Sequence, residues 1–351
     1  MKQLFKTTLL ATAVAVICGT AHAGTVSVEK QVHSLEGLEG LESNINSKPI
    51  SYTLAAAYRE GDKITFTFPA GSLVSTSLEQ ELNVSAVNNA NADNAIAGVA
   101  LGLLSSDDTS FTYRVTSVTQ PTNGLTGDAL VTYTDRTTLD AVIELDPITY
   151  KAASVLAADI TVTVSSETAT DDVLDNNGTR TATIAEAKTQ FGTVTVGTKF
   201  DGIIDVSSAR MAFAGGGSDS MSWTIANPDT TDWTTLATVN DTNGTNVTLK
   251  GEAGKMTGLA VENWSAGGTR TFTVDDATLA VTYNGMSTND TITFTPGTGD
   301  DAVALETQSF TTDFVYNYSS AAAVANTKTV GADVASGAWT LNGAVVNIPY
   351  M

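Results

Sequence analysis

The residues best equipped for chemistry are aspartates in loops. Asp171 and Asp172 are adjacent, and Asp175 follows three residues later in "DDVLDNNG" (171–178). Calcium takes about six to eight oxygens from carboxylates and carbonyls, and closely spaced aspartates in a turn supply them. Asp171, Asp172 and Asp175 are therefore the first candidates for a calcium site, and calcium is the one cofactor the sequence suggests. The segment does not fit the EF-hand pattern. With Gly178 at the glycine position, the first ligand falls on Val173 and the last on Ile184. Asp107-Asp108, Asp229 with Asp232, Asp275-Asp276 and Asp300-Asp301 repeat the motif in other polar stretches. Solvated acidic turns are the competing reading for all of them.

Other constellations are weaker. "AFAGGGSDSMSW" (212–223) places glycines before a serine. A phosphate cradle needs a helix after such a loop, and here a strand pattern follows, so a hairpin loop is expected. A serine nucleophile needs a base. His22 and His33 are the only histidines, and Cys18 is the only cysteine. Carboxylate pairs can cleave glycosides unaided, but the glutamates are dispersed and the chain reads as non-enzymatic. Sugar binding would need exposed rings. Trp233 in "NPDTTDWTT" and Trp264 in "ENWSAGG" are the exposed-looking pair and the candidate ligand-binding residues. Burial in the core is the alternative for both.

The compartment follows from the first 23 residues. Lys2 and Lys6 precede an apolar run, Leu9–Ile17, and Ala21-His22-Ala23 has the form of a signal-peptidase site. Cleavage there starts the mature chain at Gly24. Ile17 before Cys18 argues against lipidation. Cleavage also removes Cys18 and His22, so no disulfide or thiolate site is available afterwards. The net charge of −21 becomes −23, because two lysines leave and all 38 acidic residues stay. Such a chain repels nucleic acid and anionic lipid. The expected location is the periplasm, the outer cell surface or the extracellular space.

Asp outnumbers Glu by 25 to 13, and 29 glycines accompany abundant Thr and Val. This is the composition of short strands joined by tight turns. "KITFTFPAG" (63–71), "TSFTYRVTSV" (109–118), "ALVTYTD" (129–135) and "ADITVTVSS" (158–166) alternate apolar residues with Thr or Ser. That is the pattern of antiparallel strands with one buried face. Similar runs recur from 192 to 318. The fold class is all-β: two or three antiparallel, Ig-like β-sandwich domains in tandem after the signal peptide. The boundaries read 1–23 signal, 24–48 loose or short helical lead around "SLEGLEGLES", 49–170 first sandwich, 171–190 acidic linker with a short helix at Ile184–Gln190, and 191–351 second sandwich. An internal echo pairs Thr53-Leu54-Ala55-x-x-Tyr58 and Asp62-x-Ile64-Thr65-Phe66-Thr67 with Thr278-Leu279-Ala280-x-x-Tyr283 and Asp290-x-Ile292-Thr293-Phe294-Thr295. Only 56 residues follow the second copy, so the last domain is expected to be incomplete. Asn342-Gly343 signals a hairpin. It would leave Ala344–Tyr350 as an open terminal strand that pairs with further chain or with a partner.

In this secreted, acidic, Thr/Asn/Gly-rich β pattern, with the tail "GAWTLNGAVVNIPYM" (337–351), the chain resembles surface-layer and adhesin proteins of Gram-negative bacteria. The resemblance implies a structural or interaction protein of the cell surface, in a surface layer, appendage or matrix. It further implies self-association or binding to other surface proteins or glycans. A calcium-assisted carbohydrate-binding adhesin is the alternative. A chaperone–usher pilus subunit comes next: Tyr350 matches that family's penultimate tyrosine, but the family's disulfide is impossible here. A transmembrane barrel is disfavoured, since aromatics are 7% of the chain and girdles of them are needed.

Overall fold

The computed structural model describes residues 24–56, 58–74, 81–85, 98–119, 142–175 and 178–343. "ALVTYTD", the turn cluster 121–128, and Ala344–Tyr350 lie outside the described residues. The chain divides into two compact units. The first comprises residues 1–33 and 42–187, the second residues 34–41 and 188–351. Both are all-β.

The first unit forms because its strands alternate. Lys63–Thr67 buries Ile64 and Phe66 and turns Lys63, Thr65 and Thr67 outward. Ile160–Glu167 buries every second residue from Ile160 to Ser166. One sheet runs Thr25–Val28, Ile50–Thr53, Val142–Leu145, all antiparallel. The larger sheet runs Thr181–Lys188, Ile160–Glu167, Lys63–Thr67, Ser110–Thr119, Gly98–Ser106, Glu81–Ser85. Register puts Phe66 opposite Phe111, and the rings stack with centroids 5.1 Å apart. On the other face, Thr65 and Thr112 hydroxyls meet at 2.9 Å. Tyr52 of the smaller sheet packs edge-on against Phe66 of the larger, which closes the core.

In the second unit one sheet runs Thr193–Val196, Asp219–Ala226, Asn289–Phe294, Trp264–Ser265. The other runs Ile203–Ile204, Ala325–Leu341, Gln308–Ser319, Thr245–Lys250, Thr278–Tyr283, Arg270–Val274. Met221, Trp223 and Ile292 from the first sheet pack against Val281, Phe314 and Tyr316 from the second. Burying such side chains stabilises by roughly 1.5–3 kcal/mol each. The two longest strands, Gln308–Ser319 and Ala325–Leu341, form a bulged hairpin. Gly337 sits in one of its bulges with φ 112°.

Several readings change. Ile184–Gln190 is not helical, because Thr181–Lys188 is a strand paired with Ile160–Glu167. A register shift there pairs Thr161 with Thr183 and Ile160 with Ala185, leaving Ile184 as the extra residue. Ile184 and Ala185 are both buried. A bulge breaks period two, which is why "IAEAK" resembles a helix. The acidic stretch at 171–175 is no free linker: Val173–Leu174 pairs with Ser166–Glu167. The lead is ordered as strands Thr25–Val28, Gln31–Ser34 and Asn44–Asn46, with one helical turn at Leu35–Leu38. Pairing is not wholly antiparallel, since Ile203–Ile204 runs parallel to Thr340–Leu341.

Candidate functional site

The acidic turns bind mainly themselves. Asp107 Oδ1 accepts from the Thr109 N–H at 2.7 Å, the Thr109 hydroxyl at 2.7 Å and the Ser110 N–H at 2.6 Å. The Thr109 hydroxyl and these two N–H groups hold its carboxyl below the usual aspartate range. Asp229 does the same with Thr231, and Asp205 with Ser207 and Asn342. These are side-chain turns in which the carboxylate replaces a backbone acceptor.

Asp171, Asp172 and Asp175 are not gathered. Asp171, at φ 64°, pairs with Lys63 Nζ at 2.6 Å. Asp172 accepts from the Thr170 hydroxyl at 3.0 Å. Asp175 Oδ2 accepts from the Tyr58 hydroxyl, from the Tyr52 hydroxyl at 3.2 Å and from the Ala55 N–H at 3.3 Å. Among the described residues no three His, Cys, Asp or Glu side chains converge as a metal site. This donor set does not fit calcium as it stands.

The tryptophans divide. Trp264 is 4% exposed and packs on Phe294, Phe200 and Trp339, so it is a core ring and not a sugar platform. Its polar neighbours in "ENWSAGG" conceal this, since only two residues, Trp264–Ser265, form the strand that turns it inward. Trp233 is half-buried at the start of Trp233–Thr234. The two rings therefore make no common exposed face. His33, which the sequence places in a loose lead, is buried with Nε2 2.9 Å from the Tyr150 hydroxyl. Tyr150 in turn donates to Gln31 at 3.0 Å. Burial lowers the His33 pKa and raises that of Tyr150, which keeps both neutral and structural.

Three carboxylates hold the architecture instead. Glu36, in the turn Leu35–Leu38, accepts from the Thr189 hydroxyl at 2.7 Å and the Gln190 N–H at 2.8 Å, and pairs with Lys328 at 3.0 Å. Asp219 accepts from the Trp339 indole N–H at 2.7 Å and the Gly202 N–H at 2.9 Å. Asp175 is the third. No sequence pattern announces these roles, because their partners lie far along the chain. "SLEGLEG" belongs to the second unit for this reason. Its Gly37 is obligatory: a Cβ there would lie 1.7 Å from the Thr235 carbonyl oxygen.

The outer surface carries apolar side chains close together in sequence. Ile203, Val206 and Met211 are 47%, 47% and 42% exposed around the parallel pair at Ile203–Ile204. Among the described residues no helix is long and apolar enough to cross a membrane.

A search of curated proteins returned no match. Among solved structures, the MSCRAMM ACE of Enterococcus faecalis aligns at 11% identity over 92% of this chain and 98% of its own, with a TM-score of 0.20. CfaE, the adhesive subunit of the CFA/I fimbria of enterotoxigenic Escherichia coli, aligns at 9% identity over 89% and 96%, with a TM-score of 0.22. Superpositions this loose carry no weight here. The decisive comparison is with sequence families: the model of the S-layer protein Slr4 matches residues 62–351. That match covers most of the sequence and reaches into both compact units, and the chain belongs to the Slr4 family of S-layer proteins.

Proposed function

We propose that this chain is a structural subunit of a bacterial surface layer, exported by cleavage after Ala23 and assembled laterally from copies of itself without catalysis. The family match over residues 62–351 carries the reading. The chemistry agrees with it. Asp107, Asp229 and Asp205 spend lone pairs on their own turns, and His33 is buried. The calcium site at Asp171, Asp172 and Asp175 forms no part of this reading, nor does a sugar site at Trp233 and Trp264.

The test is imaging. The purified chain starting at Gly24 is concentrated, adsorbed and viewed by negative-stain electron microscopy, with antibody labelling of intact cells in parallel. Ordered sheets, together with surface labelling, are the expected result. A monodisperse monomer at every concentration, or label confined to the periplasm, would overturn the proposal.

A further inference from the structure

Gly24 stands against the half-buried Asp175 side chain. A Cβ at Gly24 would lie 2.6 Å from the Tyr52 hydroxyl oxygen and 3.2 Å from Asp175 Cβ, so no larger residue fits. By covalent geometry the Gly24 nitrogen is ~2.5 Å from that Cβ position, which puts it within about 6 Å of Asp175 Cβ. All three groups belong to the first unit.

Asp175 is half satisfied. Oδ2 takes the two tyrosine hydroxyls and the Ala55 N–H, whereas Oδ1 is buried with no hydrogen-bond partner among the described residues. Burial and the Asp175 charge push the Tyr52 pKa up to about 12 and raise that of Tyr58 further, so both rings stay protonated donors. Neutral donors leave the carboxylate charge unbalanced. Lys63 is engaged with Asp171. A buried carboxylate oxygen without a partner is costly and rare in native proteins.

Cleavage of the Ala23–Gly24 bond supplies what is missing. Water adds across the peptide bond: the hydroxyl joins the Ala23 carbonyl carbon, and the Gly24 nitrogen takes the hydrogen. The new amine binds a further proton at neutral pH, since α-amino groups titrate near ~7.7–8.0. Before cleavage that nitrogen is a neutral amide with one N–H. Afterwards it is an ammonium with three donors, beside an open carboxylate oxygen.

We propose that the Gly24 ammonium created by this cleavage pairs with Asp175 Oδ1, so that the first unit is completed only in the processed chain. The ion pair locks the strand Thr25–Val28, already bonded from the Val26 N–H to the Thr179 carbonyl at 2.9 Å, against the turn carrying Asp175. The inference rests on cleavage after Ala23 and is independent of surface-layer assembly.

The experiment starts with the intact mass of the exported protein; a first residue other than Gly24 would overturn the proposal at its premise. Chains beginning at Gly24, and at an added alanine before Gly24, are then prepared with Asp175 intact and as Asp175→Asn. Each is treated with acetic anhydride, and α-amine acetylation is followed by peptide mass spectrometry. In the Gly24-first chain the amine should react at least about tenfold more slowly than in the extended chain or in Asp175→Asn, the protection a charge-assisted hydrogen bond supports. The extension should also lower the denaturant midpoint with Asp175 intact but not in Asp175→Asn. Equal acetylation rates in the Gly24-first and extended chains would refute the pair, even if Asp175→Asn failed to fold. Equal loss of midpoint in both backgrounds would refute it as well.

Discussion

Glu36→Ala is the sharpest test of how the second unit is held together. Glu36 is 1% exposed, in a turn whose Ser34 hydroxyl caps the Gly37 N–H at 3.0 Å. Burial alone would raise its pKa. The Gln190 N–H, the Thr189 hydroxyl and Lys328 outweigh burial and hold the pKa below the usual glutamate value. Truncation strands the Gln190 N–H, at about 1–3 kcal/mol, and removes the charge-assisted acceptor of the Thr189 hydroxyl, which keeps the Phe191 carbonyl at 3.3 Å. Lys328 is 39% exposed at its side chain, can turn to water, and adds little. The stranded N–H and the lost hydrogen bonds to a charged acceptor together come to about 3 kcal/mol. With two compact units a single unfolding free energy is ill-defined, so a local readout is needed. Cleavage by a glutamyl endoprotease after Glu39, followed by mass spectrometry, reports opening of residues 34–41. Where reclosing outpaces cutting, the rate tracks the open population, and ~3 kcal/mol is roughly a hundredfold. Glu36→Gln keeps the shape and one acceptor and should fall between. A rate in Glu36→Ala within about threefold of the parent would refute the anchoring role, because 3 kcal/mol cannot be hidden in so small a change. A pH series adds a second check. The folded pKa is depressed, so the stabilisation is complete above the unfolded value near ~4.3 and vanishes as pH falls through the folded value. The deficit of Glu36→Ala in denaturant midpoint should shrink accordingly in acid.

Three further outcomes follow from the same packing. Gly337→Ala would place a Cβ 2.0 Å from the Phe200 carbonyl oxygen, at φ 112°; a loss of about 3 kcal/mol or more is expected, and a thermal midpoint unchanged from the parent would contradict the bulge. Trp264→Ala should cost about 3–5 kcal/mol with loss of near-ultraviolet circular dichroism, whereas Trp233→Ala should cost under about 1 kcal/mol; the reverse ranking would restore Trp264 as a surface ring. Val206→Ser combined with Met211→Ser should leave the thermal midpoint unaltered, since both side chains are exposed, and a midpoint lowered by more than a few degrees would contradict that placement.

Local physics made the strands legible. Phe66, Phe111 and Val164 announce themselves by alternating with threonines, and all three are buried. Composition set only expectations about partners and chemistry, whereas the resemblance to surface-layer proteins agrees with the family match. What escaped was non-local. Period two fails at Ile184 because a bulge inserts one residue, and the following Ala-Glu-Ala-Lys has helical propensity that pairing with Ile160–Glu167 overrides. Asp171 and Asp175 are four apart in a turn that looks cation-binding. Positive φ at both residues and the presence of Lys63 and Tyr58 assign them to different partners. The partners of Glu36 lie about 150 and 290 residues away, beyond any window in which periodicity operates.

Glu36, Asp175 and Asp219 also bear on how the chain is held together without cysteine after Gly24. Glu36 reaches Gln190 across 154 residues, Asp175 reaches Tyr52 across 123, and Asp219 reaches Trp339 across 120. A disulfide over such spans would act mainly by restricting the unfolded chain. A carboxylate accepting N–H and O–H donors leaves the unfolded chain unrestricted and stabilises only the native state. The two solutions therefore differ in kinetics. Contacts of this sequence separation form late, after loop-closure entropy has been overcome, so the three acids should slow unfolding more than they speed folding. For a subunit that persists on a surface, a slow unfolding rate is the relevant stability. Reductant should leave the unfolding rate of the chain from Gly24 unchanged, because that chain has no cysteine.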